Sequence, residues 1–181
     1  YFCYSLQPLS MLSTLITSKT RVRILVKFFI NVANNGHLRG LAEEFNESTN
    51  AIRKELNSLS EAGYLTKVTH QNKINYQANS QHPLFSTLQN LVFHYIGLPK
   101  IIEMILERMG NVEQIYITGD YAKGIDSGTI EVVLVGRQLN EGYIEQLAGK
   151  IGKEIQRKVL FFMTTHYEQE GLLIYDLQTN Y

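Results

Sequence analysis

The chain of 181 residues contains a single cysteine, Cys3, and this scarcity excludes an internal disulfide framework and a zinc site built from cysteines. No stretch approaches the roughly 20 uninterrupted apolar residues of a membrane-spanning helix. Residues 1–10 are apolar but lack the basic segment of a secretory signal, so we expect a poorly ordered leader there. These absences predict a cytoplasmic protein with no membrane partner.

Paired metal-ligand spacing is also absent. The five histidines are scattered along the chain without ligand spacing, and no cysteines accompany them: His37, His70, His82, His94 and His166. Structural and catalytic metal sites need such ligands close together. We therefore predict neither a metal site nor a cofactor.

The net charge is zero, but the charges are unevenly distributed. Residues 11–97 hold nine Lys/Arg and five Asp/Glu, a net charge of +4, whereas residues 98–181 hold eight and twelve, a net charge of −4. An asymmetry of this kind suggests that the basic half binds nucleic acid. The alternative is chance, since +4 is a modest excess.

Helical periodicity dominates the basic half. Apolar residues spaced by three and four predict a helix over Arg21–Val32, capped by Thr17, Ser18 or Thr20. "ANNGH" follows as a turn, and "LRGLAEEFN" as a second helix.

A third helix is predicted after Ser48, whose hydroxyl is a good N-cap, and it ends at Gly63 in left-handed geometry. Its buried stripe is Ile52, Leu56 and Leu59. The opposite face carries amides and positive charge: Thr49, Asn50, Arg53, Lys54 and Asn57. Two alternating segments, "YLTKVTH" and "KINYQAN", then predict a hairpin with "QNK" as its turn.

Three helices followed by a basic-tipped hairpin is the order of a winged helix. The segment "LRGLAEEFNESTNAIRKELNSLSEAGYLTK" resembles the winged helix-turn-helix of bacterial ArsR-like transcriptional regulators, and the resemblance covers about residues 11–80. It implies a domain that binds double-stranded DNA. Asn50 and Asn57 suit adenine and Arg53 suits guanine, because their side chains match those base edges in the major groove. The full set of predicted DNA-binding residues is Arg39, Ser48, Thr49, Asn50, Arg53, Lys54, Asn57, Lys67 and Lys73.

Two other interpretations of this polar face stay open. One is a solvated helix face without a partner, and the other is a winged helix that contacts only proteins. Arg39, Lys54, Lys67 and Lys73 are expected to hold phosphates rather than to read bases.

Residues 81–97 predict a long linking helix. "HPLFSTLQNLVFHYIG" places Pro83 in the first turn and is apolar around most of its circumference. Such a helix must be buried on several sides, either inside the chain or against the same helix of a second copy. A homodimer would set two recognition helices about 34 Å apart, one turn of DNA. Gly97 and Pro99 mark the expected boundary.

Residues 98–181 predict a small α/β domain in the order α-β-turn-β-α-β, with "VLFFMTT" as a buried third strand and "GLLIYDL" as a further strand or packed tail. The segment "GDYAKGIDSGTIEVV" resembles the glycine loop of minimal nucleotidyltransferases. Gly119 and Gly124 match the two glycines, but Asp120 replaces the serine, and Thr129 and Glu131 stand where two metal-binding acids belong. The later strand has no third acid.

These departures imply a degenerate domain without catalysis, because nucleotidyl transfer needs several carboxylates to hold two Mg²⁺ ions. Asp126 is an alternative ligand but lies in the loop before the strand. The predicted ligand loop comprises Gly119, Asp120, Lys123, Gly124 and Glu131. Such a domain serves dimerisation or the sensing of a small-molecule effector.

The expected architecture is therefore α+β: a winged helix-turn-helix, a linking helix and a degenerate nucleotidyltransferase-like domain. The expected function is transcriptional regulation. The rivals are an active nucleotidyltransferase recruited by its winged helix and a protein-interaction module.

Overall fold

The computed structural model describes residues 16–70 and 73–178; the expected leader and the first two residues of the "QNK" turn lie outside these ranges. The described residues form seven α-helices and two β-sheets, which confirms the α+β class. They divide into two compact units, the N-terminal unit (16–92) and the C-terminal unit (93–178). The division falls inside the predicted linking helix, between Val92 and Phe93.

The N-terminal unit has the predicted three helices and hairpin, with one additional strand. Its elements are α1 (Lys19–Phe29), β1 (Asn35–His37), α2 (Leu38–Phe45), α3 (Thr49–Glu61), β2 (Leu65–His70) and β3 (Lys73–Ala78). The sheet is antiparallel in the order β1-β3-β2. Helix α1 ends three residues before the predicted Val32.

Strand β1 corrects the interpretation of "ANNGH" as a turn alone. Asn35 pairs with Gln77, and His37 pairs with Asn75. These three residues carry no alternating pattern of their own. They become a strand only because β3, about 40 residues later, offers its free edge.

Three predicted caps are confirmed, at Ser18, Ser48 and Gly63. Ser18 and Ser48 accept hydrogen bonds from the N–H groups of Arg21 and Ala51, at 3.2 Å each. Gly63 has φ +79°, the left-handed conformation that a glycine adopts at low cost. Each cap satisfies backbone groups that a helix end leaves without intrahelical partners.

Helix α4 (Phe85–Ile96) starts later than predicted. The expectation that Pro83 lies in its first turn is wrong, because residues 80–84 form turns. In these turns the backbone N–H of His82 donates to the Asn79 carbonyl, and the His82 carbonyl accepts from the Phe85 N–H. Burial along α4 is uneven. Val92 and Ile96 are buried, whereas the other apolar side chains of the helix are half-buried: Phe85, Leu88, Leu91, Phe93 and Tyr95.

The C-terminal unit follows the predicted order of elements. They are α5 (Leu98–Arg108), β4 (Asn111–Thr118), α6 (Gly119–Ala122), β5 (Thr129–Arg137), a 3₁₀ turn (Glu141–Tyr143), α7 (Ile144–Ile155), β6 (Lys158–Thr164) and β7 (Leu172–Asp176). The sheet order is β6-β5-β4-β7, with β5 and β6 parallel and the other pairs antiparallel. "GLLIYDL" is therefore an edge strand.

The prediction that "VLFFMTT" is a buried strand is wrong in part. Strand β6 lies at the edge of the sheet, where only Val159 is buried and Phe162 is 52% exposed. The buried strand is β5, which has neighbours on both sides and whose residues from Val132 to Val135 are all buried. An apolar run alone does not distinguish these two positions.

Candidate nucleic-acid interface

Helix α3 turns its predicted polar face outward. Ile52 and Leu56 are fully buried and Leu59 is nearly so, which fixes the inward side of the helix. All nine predicted DNA-binding residues are exposed: Arg39, Ser48, Thr49, Asn50, Arg53, Lys54, Asn57, Lys67 and Lys73. On α3, Asn50, Arg53 and Asn57 are spaced by three and four residues and so form one stripe along the helix. The amides and the guanidinium group are presented together.

Two members of this stripe touch each other. Arg53 Nη1 donates a hydrogen bond of 3.1 Å to Asn50 Oδ1. The contact joins the guanidinium group of Arg53 to a side chain one helical turn earlier and restricts its orientation. An oriented guanidinium fork suits bidentate acceptors such as the guanine edge or a phosphate.

Three of the five acids of the N-terminal unit are paired with bases of α1, whereas the exposed Glu43 and Glu61 form no ion pair in the described ranges. Helix α1 supplies three bases to three glutamates in ion pairs: Arg21–Glu55 at 2.6 Å, Arg23–Glu47 at 3.2 Å and Lys27–Glu44 at 2.9 Å. Glu55, although part of α3, is buried and does not reach the polar face. The outward face from Thr49 to Asn57 therefore carries positive charge and no acid, and the exposed Glu61 lies at the end of the helix.

This pairing concentrates the remaining positive charge. Six bases of the N-terminal unit form no ion pair within the described ranges: Lys19, Arg39, Arg53, Lys54, Lys67 and Lys73. Five of these six are predicted DNA-binding residues. Lys19, at the start of α1, is the one that the sequence analysis did not name. Sequence alone does not show which bases of a helix form ion pairs and which stay unpaired.

The hairpin carries two lysines, one within its paired strands and one beside its turn. Lys67 stands in register with the buried Tyr76, and its ammonium group lies 5.8 Å from the centre of the tyrosine ring. Lys73 begins β3 beside the turn. Exposed Val68 and Ile74 lie between them. The outer part of the hairpin thus carries two exposed apolar side chains between two lysines.

The predicted ligand loop is built differently from a phosphate cradle. Helix α6 is a single turn, and the amides that follow it point back into the loop: the N–H groups of Lys123 and Ile125 donate to the Asp120 carbonyl, and that of Gly124 donates to the Tyr121 carbonyl. Asp120 and Lys123 are exposed, while Gly124 is buried. These three amides are therefore satisfied internally.

Glu131 lies directly against the start of the loop. A Cβ atom placed on Gly119, which has φ +63°, would stand 2.7 Å from Glu131 Oε2. The Thr118 hydroxyl donates to the same oxygen at 3.4 Å. The sequence motif thus brings Gly119 and Glu131 together, and the carboxylate places negative charge where a phosphate would have to approach.

This contact predicts a large effect of Gly119→Ala. The change combines a positive φ with the close carboxylate, so we expect the free energy of unfolding to fall by about 1–3 kcal/mol in denaturant titrations. Gly149→Ala is the matched control, because a Cβ on Gly149 in α7 meets no atom within 4 Å. Its expected change is a gain of about 0.5–1 kcal/mol. Equal values for the two variants would contradict the contact.

Behind the loop lies a buried polar network that the sequence did not reveal. Arg157 is 8% exposed and donates to Asp126 Oδ2 at 2.9 Å and to the Tyr121 hydroxyl at 2.7 Å. Tyr121 in turn donates to Asp126 Oδ1. Asp126, considered from sequence as a replacement metal ligand, is thus engaged by an arginine 31 residues away.

The network holds each member in one protonation state. Burial of Asp126 opposes ionisation, but hydrogen bonds from Arg157 and Tyr121 and the charge of Arg157 outweigh it and hold the pKa of Asp126 below its usual value. Burial, followed by the hydrogen bond to Asp126, raises the pKa of Tyr121. Burial lowers the pKa of Arg157, but hydrogen bonding to Asp126 reverses this and leaves it raised. The expected species are therefore a carboxylate, a phenol and a guanidinium ion.

A cavity of about 590 Å³ lies elsewhere in the C-terminal unit. Its lining includes Glu113, Tyr116, Tyr167 and Asp176, and it shares no residue with the predicted ligand loop. The Tyr116 and Tyr167 rings are 4.9 Å apart, centre to centre. The volume is in the range of small-molecule sites.

The described ranges contain no cluster of metal donors. No three His, Cys, Asp or Glu side chains there are grouped closely enough to hold a metal ion. The absence of a metal site stays a prediction for the whole chain. Among the same residues, no helix combines the length and the apolar character needed to cross a bilayer.

No protein-family model matches the chain, and no curated protein matches it. Among solved structures, the chain is similar to the AntR antimony-specific transcriptional repressor, with 21% sequence identity, a TM-score of 0.34, and coverage of 52% of this chain and 77% of that one.

Proposed function

We propose that the chain is a sequence-specific DNA-binding transcriptional regulator that contacts DNA through α3, the start of α2 and the hairpin. The observation that carries the proposal is the outward stripe of α3 from Asn50 to Asn57, where exposed amides and a guanidinium group stand with no acid among them because Glu55 is buried against Arg21. A major groove about 12 Å wide accepts one α-helix with its side chains.

The residues divide by chemistry into two roles. Asn50 and Asn57 pair with adenine, and Arg53 forks onto guanine. Phosphates are held by Lys54 of α3, by Lys67 and Lys73 of the hairpin and by Arg39 of α2, which fixes the position of the helix without reading the sequence. Ser48 and Thr49 open α3, where backbone N–H groups and the positive end of the helix dipole favour a phosphate.

The C-terminal unit is proposed to be non-catalytic. Glu131 is the carboxylate that β5 brings against Gly119, and Asp126 is held by Arg157. We assign it dimerisation or effector sensing instead. Transfer of a labelled nucleotide in the presence of Mg²⁺, lost in Glu131→Gln, would overturn this assignment.

A homodimer in the cytoplasm is part of the same proposal. The half-buried apolar side chains of α4, such as Leu88 and Leu91, suit a second copy of the helix. Two-fold symmetry would then place two copies of α3 about one DNA turn, roughly 34 Å, apart. The recovered binding site is accordingly expected to be an inverted repeat.

The decisive experiment selects bound fragments from random or genomic DNA and measures affinity for the recovered site by fluorescence anisotropy. Arg53→Ala is expected to weaken binding by about 1–3 kcal/mol and to relax the preference for one base pair. The reason is that the alanine variant loses the oriented fork, while α3 keeps its buried stripe.

Arg137→Ala is the matched control, since Arg137 is an exposed arginine of the C-terminal unit. Its affinity for the same site should stay within about threefold of wild type, because Arg137 is not part of the proposed interface and salt screens exposed charges. Equally weak binding of the wild-type chain to every fragment would reject the proposed function.

A further inference from the structure

The single glutamate buried in α3 joins that helix to the N-terminal turn of α1. Glu55 is 6% exposed. Its Oε1 atom accepts from the Ser18 hydroxyl at 2.7 Å, and its Oε2 atom accepts from Arg21 Nε at 2.6 Å. Arg21 Nη2 also donates to the Ser58 hydroxyl at 3.3 Å. Two residues of α1 thus hold two positions of α3 that are three residues apart.

The start of α1 is itself fixed at this point. Ser18 is the N-cap of α1 and accepts the Arg21 N–H while donating to Glu55. The same hydroxyl therefore caps the start of α1 and binds the buried carboxylate of α3. Any movement of Glu55 must disturb the cap or abandon a hydrogen bond from a charged partner.

These bonds restrain a motion that apolar packing leaves comparatively soft. The stripe of Ile52, Leu56 and Leu59 decides which side of α3 faces inward, but packing contacts are not directional. A rotation of about 20° would move a side chain at a radius of about 5–6 Å by about 2 Å. Hydrogen bonds to a base edge tolerate a few tenths of an ångström, so such a rotation would break them.

We propose that Glu55, held by Ser18 and Arg21, is a positioning residue that sets the rotation of α3 and so aligns Asn50, Arg53 and Asn57 with the base edges. The inference rests on the proposed function in one respect: it requires that α3 reads DNA. It assigns sequence discrimination to a carboxylate that never touches DNA.

Positioning and simple charge make opposite predictions for Glu55→Gln. The variant raises the net charge of the basic half from +4 to +5. Charge alone would strengthen binding to every duplex, because non-specific affinity follows phosphate neutralisation. Misalignment of α3 would instead weaken binding to the specific site while leaving non-specific binding equal or stronger.

The experiment uses the full chain with two duplexes, the selected site and a scrambled sequence, over a series of salt concentrations. In Glu55→Gln the ratio of specific to non-specific affinity is expected to fall about tenfold, as coupling within one polar network allows. Glu44→Gln is the matched control, since it removes the same charge from an ion pair with Lys27 that does not involve α3. Its ratio should not change.

A second variant keeps the inference testable if Glu55→Gln does not fold. Ser58→Ala removes the outer contact of Arg21 and leaves the buried carboxylate in place, and we expect the same ratio to fall by about twofold to fivefold. Thermal unfolding checks that both variants are folded at the temperature of the assay. A wild-type chain without any specific site rejects the proposed function. A specific wild-type chain whose ratio survives both substitutions rejects the role of Glu55 alone.

Discussion

Replacing Asp126 with asparagine is expected to lower the free energy of unfolding by about 2–4 kcal/mol. The substitution conserves shape but removes the charge that compensates Arg157, whose side chain is 5% exposed. The remaining guanidinium ion would be buried without a counterion. The loss is set somewhat below that of a fully buried pair because a quarter of the Asp126 side chain is exposed. Denaturant titration with a tertiary probe of the C-terminal unit measures it.

The neighbouring acid of the same loop provides the control. Asp120 is exposed and forms no ion pair in the ranges that the structure describes. Asp120→Asn should therefore change the free energy of unfolding by less than about 0.5 kcal/mol. Similar losses in the two variants would mean that the loop, rather than the buried pair, determines the effect.

The stability of the wild-type chain at low pH should also depend on the Asp126–Arg157 pair. The folded pKa of Asp126 lies below its unfolded value, so the pair contributes stability above the ordinary carboxyl range near about pH 4. That contribution is lost as the pH falls through the folded pKa. The difference between wild type and Asp126→Asn should accordingly be constant at neutral pH and shrink in acid. A difference that grows on acidification would contradict the ion pair.

Local signals explain why so much of α3 was predictable. Its cap at Ser48, its end at Gly63 and its buried stripe each depend on residues within a few positions of one another. Helical spacing could also have identified Glu55, because it lies three residues after Ile52 and four before Leu59, on the flank of the buried stripe. Its partner Arg21 could not be identified, since the pairing depends on how α1 packs against α3.

Distant pairings account for the remaining errors and omissions. Strand β1 exists only because it pairs with β3, and the Arg157 network joins residues separated by 31 and 36 positions. Strand β6 is apolar enough to be central, yet the sheet order places it at an edge. None of these features leaves a local pattern, because each depends on the tertiary arrangement.

Reversing the charge of Arg53 and Lys54 together is expected to have the largest effect on DNA binding. Arg53→Glu/Lys54→Glu should lower affinity for the selected site at least about 1,000-fold, because it removes a base contact and a phosphate contact and adds repulsion from the phosphates. Both side chains are exposed, so the fold should be little affected. Anisotropy titrations at fixed salt measure the loss.

The matched control is Lys150→Glu/Lys153→Glu, which makes the same change in total charge on exposed residues of α7. It separates the location of charge from its amount, because α7 is not part of the proposed interface and salt screens the attraction of exposed charges. If both double variants lost affinity equally, attraction to DNA would be a property of total charge and α3 would not be the interface. A loss confined to the α3 variant, together with a smaller salt dependence, would mean that the stripe opposite Ile52 and Leu56 contacts the duplex.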